Sequence, residues 1–153
     1  MVIGNQAGNI LKAKVLIYTF RTNQNIEQFL NITGLSLVTP VFVINKPSED
    51  IPKLLDLIKL NKPDWVIGFA SVRRGTSRWE GVCQNKFSRG KVSANSPFEA
   101  LSLERPDFLG ALNDIKTERR IGDTFCNQAA FKVAEYIEIE GLRTKSAFLH
   151  LRA

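Results

Sequence analysis

The 153-residue sequence is poor in the side chains that build metal centres and covalent frameworks: it has two cysteines, Cys83 and Cys126, and a single histidine, His150. Two cysteines without metal-ligand spacing make neither a disulfide scaffold nor a zinc site, and one imidazole does not complete the set. Free thiols in a reducing, cytoplasmic compartment and no bound metal are therefore expected. No apolar run approaches the ~18 residues of a membrane span, and Met1 to Lys12 lacks the charged-then-apolar order of a secretory signal. That segment reads as an irregular amino-terminal stretch, and no membrane partner is expected of the protein. Internal repeats, low-complexity tracts and Ser/Gly linkers are missing too, so residues 1–153 are read as one domain.

The chain also lacks a glycine motif that would cradle phosphate, and it has no Lys/Arg-rich arm. Its 21 basic residues against 15 acidic ones leave a net charge of +6, a field that favours anionic partners. The basic residues are scattered, however, with short clusters only at Arg73, Arg74 and Arg78 and at Arg119 and Arg120. This argues against a nucleic-acid role. With 44% hydrophobic and 24% charged residues, the composition is that of an ordinary globular domain. A domain of this size buries roughly 68–70% of its unfolded surface, enough for a core and a water-excluding cleft.

Along the chain, Lys14 to Thr19 reads as a buried strand and Asn25 to Asn31 as a short helix. Leu35 to Ile44 reads as a second strand, which Pro40 assigns to an edge or a bulge. Ser48 is a candidate N-cap, with Glu49 and Asp50 in the first turn and Ile51, Leu54, Leu55 and Ile58 forming one helical face that stops near Asn61 before Pro63. Trp65 to Phe69 is a third buried strand. From Ser71 to about Arg120 the pattern is broken by Gly75, Gly90, Pro97, Pro106 and Gly110 and reads as loops and short helices. Thr124 then caps a helix with Phe125, Ala129, Val133 and Ile137 in one stripe and Cys126, Ala130 and Ala134 in the next. Thr144 to Leu151 closes the chain as a strand. Alternating strands and helices predict an α/β fold, a three-layer α/β/α sandwich whose sheet is mainly parallel or mixed, with ligands bound outside the carboxyl ends of the strands.

Cys126 falls in the first turn of a predicted helix. Unpaired backbone N–H groups and the positive end of the helix dipole there are expected to lower the thiol pKa below its free value of about 8.5. A cysteine in that place is either a thiolate nucleophile or a small buried hydrophobe, and only acidity and exposure separate the two. His150, near the end of the last strand, lies at the same sheet edge as the start of that helix if the two are neighbours. It is either a proton shuttle for the thiol or a polar tip at a strand end. Glu80, in an irregular segment, is either the carboxylate that holds the imidazole in one tautomer or a solvated surface group.

Four segments resemble the pyroglutamyl peptidase I (pyrrolidone carboxylate peptidase) family of cysteine peptidases. Lys62-Pro-Asp-Trp-Val-Ile-Gly68 is similar to a strand of that family. Glu80, with Asn85 five residues on, resembles its Glu-x-x-Ala-x-Asn motif, Cys83 standing in the small-residue slot. Gly122-Asp-Thr-Phe-Cys126-Asn127 resembles the stretch carrying the nucleophile, and Ala147-Phe-Leu-His150-Leu resembles the segment carrying the catalytic histidine. The order Glu, Cys, His is the family's own.

The resemblance covers about Lys14 to Leu151, with a poor and shortened stretch between roughly Ser93 and Glu118. It implies a Cys126-His150-Glu80 catalytic triad, removal of an amino-terminal pyroglutamyl residue from blocked peptides, no metal or organic cofactor, and homo-oligomerisation. Phe20, Phe69 and Phe125 are the expected substrate-binding walls, and Arg74 and Arg89 the expected oxyanion or substrate contacts. The sequence departs from the family around that pocket: Tyr18-Thr-Phe20-Arg21-Thr-Asn23 keeps one of two pocket aromatics, and Gly68-Phe-Ala-Ser-Val-Arg73-Arg74 loses a glutamine. The alternative implied by these departures is a weak or inactive relative that acts as a binding or interaction protein.

Overall fold

The structure is a computed structural model and describes residues 14–21, 26–33, 40–119, 121–122 and 124–152. In chain order its elements are β1 (Val15–Phe20), α1 (Ile26–Thr33), β2 (Val41–Ile44), α2 (Pro47–Asn61), β3 (Trp65–Val72), β4 (Arg78–Glu80), β5 (Val82–Gln84), β6 (Ala100–Ser102), a 3-10 turn (Gly110–Asp114), β7 (Thr117–Glu118), α3 (Phe125–Glu140) and β8 (Lys145–Arg152). Six strands form one sheet in the order β2, β1, β3, β8, β4, β7, and β5 pairs with β6 in a small separate ribbon. The first four run parallel; β4 then reverses against β8, and β7 follows β4.

The apolar runs of β1, β3 and β8 are buried because helical segments cover both faces of this sheet. On one face α2 contributes Ile51, Leu54 and Ile58 and α3 contributes Ala129, Ala130, Val133 and Ile137, packed on Leu16, Val66 and Phe148. On the other face α1 contributes Phe29, and the 3-10 turn with its approach contributes Leu109 and Leu112, packed on Ile17, Ile67, Phe69, Trp79 and Leu149. Complete burial of a leucine or phenylalanine in these layers stabilises the fold by about 1.5–3 kcal/mol. The result is the three-layer α/β/α arrangement with a mainly parallel, mixed sheet.

Gly68 is placed by the first core. A Cβ there would overlap the rings of Tyr18 and Phe148, which are themselves fully buried. Only a hydrogen lets β3 run between the two aromatics. Among the described residues, no helix is long and apolar enough to cross a membrane.

Three expectations change. The helix over 47–61 starts one residue before Ser48: Lys46 is the N-cap, Pro47 occupies the first helical turn, and the Asp50 carboxylate accepts the N–H groups of Asn45 and Lys46 at 2.7 and 2.9 Å. A proline that needs no N–H in the first turn and a carboxylate reaching back do the work expected of Ser48. Those two N–H donors also hold the Asp50 carboxyl below its ordinary range. The stretch from Ser71 to Arg120 contains four short strands where loops and short helices were expected. Strands of two or three residues carry no readable periodicity, and their pairing depends on partners far along the chain. The strand expected over Leu35 to Ile44 is present from Val41 as an edge strand after Pro40; residues 35–39 lie outside the described residues.

Candidate active site

The site is assembled by two periodicities. On β8, residues two apart share a face, so His150 lies on the same side of the sheet as Phe148, with ring centroids 5.0 Å apart. The antiparallel register sets Arg78 opposite His150, and Glu80, two residues beyond Arg78, shares their face. The α3 helix covers that face and precedes a strand parallel to β3. Its first turn is therefore at the carboxyl end of β8, and Cys126 arrives at the same end of the sheet as His150. Ala70, the register partner of His150 on β3, lines the same cavity as Cys126.

Glu80 is completely buried and His150 nearly so. The His150 Nδ1 atom is 3.2 Å from Glu80 Oε1. The same oxygen accepts a hydrogen bond from Arg78 Nε at 2.6 Å, while Oε2 has no hydrogen-bond partner among the described residues. Arginine can only donate, so Oε1 accepts from Arg78, and Nδ1 of His150 faces that same accepting oxygen.

Cys126 lines a cavity of ≈ 510 Å³ together with Phe20, Phe125, Thr124, Ala70 and Ile44, and with Arg21, Asn45, Pro47 and Ser71. The cavity lies beyond the carboxyl ends of β1, β2 and β3, between the starts of α2 and α3. Thr124 is the N-cap of α3, yet its side chain makes no capping bond, and backbone N–H groups of a first helical turn have no intrahelical acceptor. They are suited to an anionic oxygen beside Cys126.

The acidity expected of Cys126 is reversed. Burial pushes its thiol up to about 12; the Glu80 charge adds to the rise, and the Arg78 charge and the residue's own backbone N–H oppose it. Dehydration of the thiolate outweighs the helix terminus. Among the described residues, no hydrogen bond joins the thiol to His150. Cys83, fully buried in the core below, is likewise pushed up to about 12 by burial, partly offset by backbone hydrogen bonding at Leu101 and at its own residue.

The other expected contacts divide. Phe20 and Phe125 are both at the cavity, Phe125 half exposed and 5.4 Å from the Phe87 ring. Phe69 is on the opposite face of the sheet, fully buried and stacked on Phe29 at 4.6 Å, so it is a core residue and not a wall of this cavity. One step along a strand reverses the direction of a side chain, which is why its neighbour Ala70 lines the cavity instead. Arg74 and Arg89 are exposed in turns, and neither lines the cavity. The arginine that reaches the Glu80 and His150 pair is Arg78. Its signal in the sequence was the two-residue spacing to Glu80, hidden because the segment had no strand pattern.

Asn127 was also missed as an anchor. It is fully buried; Oδ1 accepts the Gln84 N–H at 2.9 Å, and Nδ2 donates to the carbonyls of Gln84 and Lys86, both at 2.8 Å. These bonds tie the first turn of α3 to β5 and so fix where Cys126 stands. Asn85 plays a separate structural part, exchanging two hydrogen bonds with the Ser93 backbone. Among the described residues, no cluster of three or more His, Cys, Asp or Glu side chains could hold a metal ion.

No protein-family model matches the sequence, and no curated protein matches it. Solved structures do match. A pyrrolidone carboxyl peptidase from Thermococcus litoralis superposes with a TM-score of 0.71 at 20% identity, over 92% of this chain and 76% of that one. The pyroglutamyl peptidase I of Bacillus amyloliquefaciens gives 0.68 at 17% identity, over 92% and 82%. A mutant pyrrolidone carboxyl peptidase from Pyrococcus furiosus gives 0.69 at 17% identity, over 91% and 80%. The chain shares the fold of these peptidases.

Proposed function

We propose that the protein is a thiol hydrolase that removes an amino-terminal pyroglutamyl residue from peptides, with Cys126 as nucleophile, His150 as proton shuttle and Glu80 as the group that orients His150. The observation that carries this reading is the buried Glu80 and His150 pair on the sheet face and at the sheet end where Cys126 opens onto a cavity. The peptidases of the same fold, whose names state a pyrrolidone carboxyl or pyroglutamyl peptidase, support the substrate side of this reading.

In this mechanism the thiol proton passes to Nε2 of His150 as Sγ bonds to the scissile carbonyl carbon. The carbonyl oxygen becomes an oxyanion at the first-turn N–H groups of α3. Collapse breaks the C–N bond, and the proton on Nε2 leaves with the amine. Water then attacks the thioester with His150 again taking a proton, which releases the acid and restores the thiol. Because the resting thiol is strongly disfavoured as a thiolate, proton transfer has to accompany attack. Catalytic hydrogen bonds that are long or absent in an empty site commonly tighten when substrate excludes water.

Phe20 and Phe125 offer apolar walls to a flat lactam ring, while discrimination comes from hydrogen bonds to its N–H and C=O, each worth roughly 1–3 kcal/mol if left unpaired. A panel of fluorogenic aminoacyl amides, assayed with reductant, tests the reading. Pyroglutamyl amide should be cleaved, slowly, and ahead of prolyl and alanyl amides. Cleavage confined to a non-lactam amide would keep the mechanism and overturn the substrate.

A second reading has one observation in its favour. The half-buried, protonated Cys126 without a bond to His150 fits a binding protein built on a peptidase fold, and cleavage of no amide in the panel would support it.

A further inference from the structure

Arg78 has no place in the triad, yet it makes the shortest contact in the site. Its Nε donates to Glu80 Oε1 at 2.6 Å, against 3.2 Å for His150 Nδ1 on the same oxygen. The guanidinium is itself mostly buried, with 20% of its side chain exposed, and Glu80 is completely sealed. A second donation, from Nη1 to the Thr76 carbonyl at 3.3 Å, fixes its orientation. On the far side of the carboxyl group, Oε2 has no hydrogen-bond partner among the described residues. Thus Arg78 is the permanently charged group that compensates Glu80; the other titratable groups close to it are His150 on β8 and Cys126 on α3.

This arrangement has a consequence for the imidazole. A sealed carboxyl group without a cation is driven toward its neutral form. A neutral Glu80 would carry an O–H and could donate it to Nδ1, which would place the ring proton on Nε2, the atom that has to accept the thiol proton. The guanidinium charge beside Oε1 favours the carboxylate, and a carboxylate oxygen can only accept, so Nδ1 then has to donate.

We propose that Arg78 is a positioning residue that keeps Glu80 ionised and thereby sets the His150 tautomer, holding the ring proton on Nδ1 and the lone pair on Nε2. It acts through Glu80 and does not line the cavity. The inference rests on the thiol-hydrolase reading only for the use made of Nε2; the tautomer itself is independent of any substrate.

The single histidine makes the test direct. Tag-free protein labelled with 15N-histidine gives one imidazole, whose two nitrogens report the tautomer by their shifts and their long-range couplings to the ring protons. At pH 8 the wild-type ring should show the neutral Nδ1–H form. In Arg78→Met it should show neutral Nε2–H; an imidazolium there, which keeps Nδ1–H beside an ionised Glu80, would show that Glu80 stays charged without Arg78 and would overturn the inference. Arg78→Lys, which keeps the charge, should retain Nδ1–H. Where a pyroglutamyl amide is cleaved, Arg78→Met should lower kcat by about 10²–10⁴, the scale of a wrong-tautomer triad, with little change in KM. An unchanged Nδ1–H spectrum in Arg78→Met overturns the inference. So does a wild-type ring protonated on Nε2, a result that needs no variant to fold. A wild-type Nδ1–H ring lost in Arg78→Met, in a protein that cleaves no amide, would leave the inference standing and remove the hydrolase reading instead.

Discussion

Cys126→Ala should abolish hydrolysis of any amide the protein cleaves, a loss of about 10⁴–10⁶ in kcat, because no other side chain at the cavity is a nucleophile of comparable strength. His150→Ala should lose nearly as much. With the thiol pushed up to about 12, only about one molecule in 10⁵ is a thiolate at pH 7 without a base to take the proton. Glu80→Gln should be milder in principle, since Glu80 touches no reacting atom. Here it also leaves the Arg78 guanidinium, whose side chain is one-fifth exposed, beside a neutral amide without its paired charge, which lowers stability. Turnover and thermal stability should therefore fall together in Glu80→Gln, whereas Cys126→Ala should lose turnover alone. Steady-state assays paired with thermal melts separate the two patterns, and wild-type turnover in Cys126→Ala would end the mechanism.

The second large effect is expected in alkylation by iodoacetamide. Cys126 lines a cavity and Cys83 is sealed beneath Leu101, so Cys126 should be modified at least about 100-fold faster although burial raises both thiols to a similar degree. The pH dependence carries the mechanistic content. A buried thiol acting alone becomes reactive about tenfold for each pH unit, with no plateau below pH 10, because its deprotonation lies near 12. A thiol served by His150 should react measurably at pH 7 and level off once the imidazole is neutral. His150→Ala should restore the steep, unbroken rise. Mass-spectrometric mapping of both cysteines from pH 6 to 10 reads this, and a wild-type profile identical to that of His150→Ala would show that His150 does not serve the thiol.

How much of this was legible beforehand follows from the length of each element. The strands over 15–20, 65–72 and 145–152 and the helices over 47–61 and 125–140 are long enough for apolar periodicity to declare them, and each lies where its pattern placed it to within a few residues. The order of Glu80, Cys126 and His150 was legible through short motifs, those of Cys126 and His150 lying on two of these elements. The pairing of Glu80 with Arg78 was not, because β4 is three residues long and a two-residue alternation means nothing until a strand is known to be there. Phe69 and Ala70 show the same limit on a finer scale, since which of two adjacent residues faces a cavity depends on the register of the sheet. The acidity of Cys126 was misjudged for a different reason. The helix terminus is visible in the sequence, whereas the depth of the site, which sets the larger desolvation effect, is a property of the whole fold.

The hydrolase reading stands or falls on a covalent bond between substrate and Cys126. Rapid mixing with a pyroglutamyl ester or activated amide, acid quench and intact-mass analysis should reveal a protein heavier by one pyroglutamyl group. Peptide mapping should place that group on the segment containing Cys126, and Cys126→Ala should show none. Turnover of the substrate with no adduct at any time point, or an adduct on Cys83 instead, would contradict nucleophilic catalysis by Cys126.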